Sequence, residues 1–114
     1  MYTQRKVNIL GTEYTIKMCH DSEDPRMVDA DGFCDATTHE IFAETYNGES
    51  ENPNSKRNLL IQSQKVVRHE IVHAFLYESG LAENSFWAQN EELVDWIAIQ
   101  GPKIYKAWQE VGAM

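Results

Sequence analysis

The sequence is poor in the residues that characterise disulfide-stapled and membrane-spanning proteins. It has two cysteines and three prolines in 114 residues. No run approaches the roughly 18 consecutive apolar residues that a transmembrane helix needs. The basic residues near the N-terminus are not followed by the apolar segment that a secretory signal requires. We therefore expect a cytoplasmic protein that does not interact with membranes.

Basic residues are also scarce relative to acidic ones. Ten lysines and arginines face 18 aspartates and glutamates, which gives a formal net charge of −8. Binding to a phosphate backbone depends on clustered positive charge. The only dense basic pair, Lys56 and Arg57, is typical of a solvated helix face, as are Lys65 and Arg68. The composition therefore argues against DNA or RNA as a partner.

The two cysteines have histidines nearby in the sequence. Cys19-His20 and Cys34 with His39 offer four possible zinc ligands. Their spacing matches none of the usual structural zinc patterns, however. We expect both cysteines to be small, half-buried apolar residues instead.

The hydrophobic content of 42% predicts one folded domain spanning residues 1–114. Its first part favours strands. The stretch from Asn8 to Met18 alternates polar and apolar residues after Gly11, which predicts a hairpin turning at that glycine. Phe33 to Thr45 predicts a second hairpin. Asp21 to Gly32 is an expected loop, and the turn-rich stretch from Asn47 to Asn54 marks the change from strands to helices.

The second part of the chain favours helices. A first helix is expected from an N-cap at Asn54 or Ser55 to about Ser79, with Gly80 in the left-handed position that follows many helices. A second helix is expected to begin between Ser85 and Asn90 and to end at Gly101-Pro102. Pro102 would then start a short third helix that ends at Gly112. Three aromatic residues at helical spacing are expected to lie in the core: Trp96, Tyr105 and Trp108.

The chemistry-bearing motif is His69-Glu70-x-x-His73, which lies within the first predicted helix. Residues four apart on an α-helix lie about 40° apart on the same face, so both imidazoles can reach one metal ion. Glu70 lies about 100° round from His69, where it can reach a water on the metal and take its proton. The pattern therefore predicts His69 and His73 as metal ligands and Glu70 as the general base.

A catalytic zinc needs a third protein ligand and one open position. No histidine or cysteine follows His73, so a carboxylate must supply the ligand. The acidic start of the second predicted helix offers Glu91 and Glu92. We favour Glu91, because Asp95 stacks one turn above it and can accept a hydrogen bond from the distal ring nitrogen of a ligating histidine. Glu92 remains the alternative.

These residues resemble the gluzincin-type zinc metallopeptidases. In that family the motif is followed by a glutamate on the next helix, which is the third ligand, and by an aspartate four residues later, the positions of Glu91 and Asp95. The stretch from about Val66 to Lys103 also resembles small metallopeptidase-like proteins of bacteriophages and prophages. The gap between His73 and Glu91 is slightly shorter than usual, which keeps Glu92 open. The family's oxyanion-stabilising tyrosine or histidine is not identified by any motif, although Tyr77 and Tyr105 are available.

The expected fold is therefore α+β, a minimal zincin-like core. A small N-terminal antiparallel sheet would pack on the active-site helix, which is followed by two further helices. The expected function is zinc-dependent hydrolysis of a peptide or protein substrate. The alternative is a zinc-stabilised interaction module without turnover, and a hydrolase of non-peptide amides or esters would use the same residues.

Overall fold

The computed structural model describes residues 2–20, 30–46 and 58–114. A four-stranded sheet is followed by helices, which confirms the predicted α+β class. The strands are β1 (Gln4–Ile9), β2 (Thr12–Cys19), β3 (Gly32–Asp35) and β4 (Glu40–Glu44). The helices are α1 (Leu59–Glu78), α2 (Leu81–Asn84) and α3 (Glu91–Glu110), and a 3-10 turn at Phe86–Gln89 lies before α3.

The first hairpin turns where the sequence predicts it. β1 and β2 are antiparallel, and Ile9 lies opposite Thr12, so only two residues connect the strands. Leu10 and Gly11 have φ angles of 50° and 94°. Positive φ at both central positions defines the tight turn whose twist matches that of the strands, and glycine adopts this conformation without steric cost.

The sheet is mixed, so the prediction of a wholly antiparallel sheet is wrong. The strand order is β1-β2-β4-β3, and β2 pairs with β4 in parallel. Three successive residues of β4, Ile41, Phe42 and Ala43, are at most 4% exposed. A strand that is apolar on both faces belongs inside a sheet. β4 therefore lies beside β2 and leaves the shorter β3 at the edge, as the antiparallel partner of β4.

The main core lies between the sheet and α1. Side chains from β1, β2 and β4 pack against three residues of the helix, and together they form one buried cluster. Its members are Ile9, Tyr14, Ile16, Met18, Ile41, Ala43, Val66, Val67 and Ala74. One face of α1 is thus fixed on the sheet, and an adjacent stripe of the helix remains available for the site.

Side chains and a glycine define the helix ends. The Asn58 side chain accepts a hydrogen bond from the Ile61 amide at 3.2 Å and caps α1. Gly80, with φ of 83°, follows the helix in the left-handed conformation, as predicted. Asn90 caps α3 by accepting from the Leu93 amide at 2.9 Å. The expected N-cap at Asn54 or Ser55, the stretch from Asn47 to Asn54 and most of the Asp21–Gly32 loop lie outside the described residues.

α3 does not end at Gly101-Pro102, and the predicted separate helix from Pro102 is wrong. The helix continues through the proline to Glu110. Proline has no amide hydrogen to donate to the carbonyl four residues earlier, which is that of Ala98. The Arg68 side chain of α1 donates to this carbonyl instead, through Nε at 2.7 Å. The carbonyl is therefore satisfied despite the proline.

The predicted core positions of three aromatic residues are also wrong. Trp96, Tyr105 and Trp108 are 54%, 47% and 50% exposed. α3 buries Val94 and Ala98, and from Pro102 onward no side chain is buried. On the continuous helix Tyr105 and Trp108 lie about 60° apart, whereas Trp96 points about 180° away from Tyr105, so the three residues do not form one core-facing stripe. In the part of the chain that the structure describes, neither long helix is apolar enough to cross a bilayer.

Candidate metal centre

One stripe of α1 forms the floor of a cleft of about 420 Å³. Lys65, His69, His73 and Tyr77 follow one another at four-residue intervals, and all four line this cleft. Because residues four apart share a helix face, the stripe runs along the helix, beside the edge strand of the sheet. The rings of His69 and His73 lie edge to face with centroids 4.9 Å apart. The structure thus brings both predicted histidine ligands together.

The first residue of α3, Glu91, contacts both histidines. Its Oε2 lies 2.9 Å from Nε2 of His69, and its Oε1 lies 2.9 Å from Nε2 of His73. The cap at Asn90 starts α3 at this point, so the carboxylate is presented from the first helical turn. One carboxylate therefore bridges the same two nitrogens that can bind a metal.

Asp95 lies one turn further along α3, on the other side of the His69 ring. Its Oδ1 is 3.3 Å from Nδ1 of His69. A carboxylate at this nitrogen favours the tautomer that carries a proton on Nδ1, which leaves the Nε2 lone pair available for a metal. No contact joins Glu92 to either histidine within the described residues. The geometry therefore favours Glu91 over Glu92 as the third ligand.

The donor set fits zinc. Ligand atoms about 2.0–2.1 Å from a tetrahedral zinc ion lie about 3.3 Å from one another. The two nitrogen–oxygen separations of 2.9 Å are only slightly shorter, as expected for hydrogen-bonded partners. Two imidazoles and one carboxylate also leave a fourth position open, which is the arrangement of catalytic rather than structural zinc sites. His69, His73 and Glu91 would hold the ion.

Glu70 lies beside the histidines but in a more buried position. Its ligating atom is within 4.8 Å of those of His69 and His73, so it is also a possible ligand. Among the carboxylates that the structure describes, however, only Glu91 lies within hydrogen-bonding distance of both Nε2 atoms. Burial raises the pKa of Glu70 to about 7, a shift that His69 opposes and Glu91 reinforces. A carboxylate with this pKa can both accept and release a proton near neutral pH.

Gly32 on β3 provides the space that Glu70 occupies, and sequence reasoning missed it. A Cβ atom at this position would lie 2.6 Å from Val66 Cγ1 and 3.0 Å from Glu70 Cγ. Any other residue would therefore displace the helix or the carboxylate. The available signal was an isolated glycine next to a predicted strand, which often marks a close approach to that backbone.

Two other parts of the chain form the sides of the cleft. Residues 31–34, which include most of the edge strand β3, line one side, and Glu91 and Asp95 line the other. Among the described residues, β3 pairs only with β4, so its second edge has no strand partner. The arrangement can therefore accept an extended chain along β3, next to the histidines.

The structure shows which of the remaining sequence candidates lie near the histidines. Of the two tyrosines considered for the oxyanion role, Tyr77 lines the cleft, whereas Tyr105 does not. Within the described ranges, the only cluster of three or more potential metal ligands is the one around His69 and His73, so Cys19, His20, Cys34 and His39 do not form a second one. Cys34 lines the cleft, and burial, reinforced by Glu70, raises the pKa of its thiol to about 12. It is therefore a neutral part of the cleft wall.

No family model matches the chain, and searches of curated proteins and of solved structures find no similar protein. The resemblance to the gluzincins therefore stays a prediction based on the motif residues.

Proposed function

We propose that the chain is a zinc-dependent hydrolase that cleaves peptide bonds. The observation that carries this proposal is the bridge from Glu91 to Nε2 of both His69 and His73, at 2.9 Å each. Beside it lies the buried carboxylate of Glu70. A metal-ligand set and a proton acceptor therefore face the same cleft.

Each residue has a separate role in the proposed reaction. A zinc ion held by His69, His73 and Glu91 would polarise a carbonyl and would lower the pKa of a coordinated water to about 7. Glu70 accepts one proton from the attacking water as the carbon–oxygen bond forms, and donates that proton to the amine nitrogen as the carbon–nitrogen bond breaks. Asp95 orients His69 through Nδ1. No external oxidant, reductant or further cofactor is needed.

The open edge of β3 supports a peptide rather than another amide or ester as substrate. An extended peptide can add to a sheet edge through main-chain hydrogen bonds, which bind any sequence. β3 borders the cleft that holds the histidines, so a peptide on this edge would pass beside them. The proposal keeps the cytoplasmic location that the sequence predicts.

The test combines metal content with turnover. Elemental analysis should find about one zinc per chain in the wild type and in Glu70→Gln, and much less in His69→Ala and His73→Ala. The wild type should cleave a quenched fluorescent peptide library, whereas Glu70→Gln should be at least about 100-fold slower. Glu92→Gln is the matched control, because Glu92 contacts neither histidine; it should retain both zinc and activity. A Glu70→Gln protein that cleaves like the wild type would refute the mechanism.

A second candidate, a zinc-stabilised interaction module, is favoured by the exposed aromatic residues. Phe86 is 95% exposed, and Trp96, Tyr105 and Trp108 are about half exposed. Large exposed aromatic side chains are enriched where proteins bind partners. In this case the wild type would bind zinc and cleave no member of the library, and Glu70→Gln would behave identically.

A further inference from the structure

Lys65 occupies the end of the stripe that also carries His69 and His73. It lies one helical turn before His69, which is about 6 Å along the helix axis. It lines the cleft, and among the described residues it is the only lysine or arginine that does so. The backbone of α1 thus places a lysine about one turn from the candidate metal ligands.

The Lys65 ammonium has no partner among residues 2–20, 30–46 and 58–114, although the side chain is half-buried. Two other half-buried cations are engaged. Lys17 pairs with Glu40 at 2.6 Å, and Arg68 donates to the Ala98 carbonyl at 2.7 Å. The described part of the chain thus supplies no counter-ion to this ammonium. It is available to bind an anion that enters the cleft.

The other charges in the cleft restrict where such an anion can lie. Asp31, Glu91 and Asp95 are all acidic, and Glu91 and Asp95 already contact histidines. They repel a substrate carboxylate from the rest of the cleft. Lys65 and Asp31 both line the cleft but form no ion pair, so Asp31 does not neutralise the ammonium. The cleft thus favours a substrate carboxylate beside Lys65 and disfavours one elsewhere.

We infer that Lys65 selects peptides that carry a carboxylate about two residues from the bond that is cleaved. For a peptide that runs parallel to α1, about 6 Å along the helix corresponds to two residues of an extended chain at about 3.3 Å each. The carboxylate can come from an aspartate or glutamate side chain, or from a free C-terminus. This inference rests on the proposed function for the position of the cleaved bond, but the binding step does not require turnover.

The cleavage experiment separates the two sources of carboxylate. One library contains internal aspartate and glutamate and has amidated C-termini; the other is neutral with free C-termini. Mass spectrometry of the wild-type products should show enrichment of a carboxylate two residues from the cut in at least one library. Lys65→Met should reduce the ratio of kcat/KM for acidic over neutral peptides about five- to tenfold, and Lys65→Arg should restore it. Lys106→Met, on exposed α3, is the matched control and should leave the ratio unchanged.

A binding experiment keeps this inference separate from the proposed function. Zinc-loaded Glu70→Gln protein is titrated with a neutral amidated peptide, its glutamate-containing counterpart and its free-acid counterpart. At least one carboxylate-bearing peptide should bind about five- to tenfold more tightly than the neutral one, and the advantage should disappear when Lys65→Met is added. Selective binding without any cleavage would refute the hydrolase and retain the inference. Equal binding of all three peptides, or an advantage that survives Lys65→Met, would overturn the inference even if the wild type cleaves peptides.

Discussion

The two halves of α3 have different surroundings, although they belong to one continuous helix. The first half, from Glu91 to Ala98, packs against α1, buries Val94 and Ala98, and brings Glu91 and Asp95 to His69. The second half, from Pro102 to Glu110, has no buried side chain.

The sequence pattern is periodic in both halves, but only the first half meets a complementary surface. Glu91 and Asp95 find histidines at the spacing of one helical turn, whereas Tyr105 and Trp108 remain about half exposed. Periodicity shows which residues share a face of a helix. It does not show whether another part of the chain covers that face.

The largest effect is expected on zinc affinity, at the first residue of α3. Glu91→Gln should lower zinc affinity more than 100-fold, because loss of a direct ligand should exceed the 10- to 100-fold effect typical of an outer partner. Glu92→Gln, its neighbour on the same turn, should change the affinity less than about twofold. Competition against a zinc chelator measures both. Equal losses in the two variants would contradict the assignment of Glu91.

The next largest effect on zinc affinity is expected at Asp95, one turn further along α3. Asp95→Asn should lower zinc affinity about 10- to 100-fold, since it removes the charge that holds the His69 tautomer while it preserves the shape of the side chain. Gln109→Ala, in the exposed second half, is the control and should have no effect. An Asp95→Asn protein with wild-type affinity would show that the 3.3 Å contact does not orient the ligand.

Local spacing explains why the site was largely predictable from the sequence. The direction of a side chain on a helix follows from its position, so His69 and His73, and likewise Glu91 and Asp95, could be placed on common faces. The hairpin at Gly11 was predictable for the same reason, because its conformation depends on adjacent residues. The fold class followed from the order of these local patterns.

The features that the sequence did not reveal depend on contacts between distant residues. The parallel pairing of β2 with β4 depends on which strand is buried on both faces. Pro102 is tolerated because Arg68, 34 positions earlier, supplies the missing donor. Gly32 became significant only when β3 was placed against Val66 and Glu70. The pattern of neighbouring residues in the sequence does not reveal such contacts.

Two alanine substitutions, one in each half of α3, compare the stability contributions of the two halves directly. Val94→Ala should lower the free energy of unfolding by about 2 kcal/mol, because Val94 is fully buried and the smaller side chain leaves a cavity. Trp108→Ala removes a much larger side chain but should cost less than about 0.5 kcal/mol, as is usual at exposed positions. Urea unfolding followed by circular dichroism measures both. A loss at Trp108 equal to that at Val94 would mean that the second half is covered in solution.

The smallest effect is expected on the free energy of unfolding, at the junction between the two halves of α3. There the Arg68 side chain supplies the hydrogen-bond donor that Pro102 lacks. Arg68→Met should destabilise the parent because the Ala98 carbonyl then loses its partner. In a Pro102→Ala background the same change should cost about 1 kcal/mol less, since the alanine amide can now donate to that carbonyl. A double-mutant cycle on unfolding free energies gives this coupling, and Lys106→Met replaces Arg68→Met in the control cycle. Zero coupling would show that the arginine does not compensate for the proline, and the continuity of α3 would then need another cause.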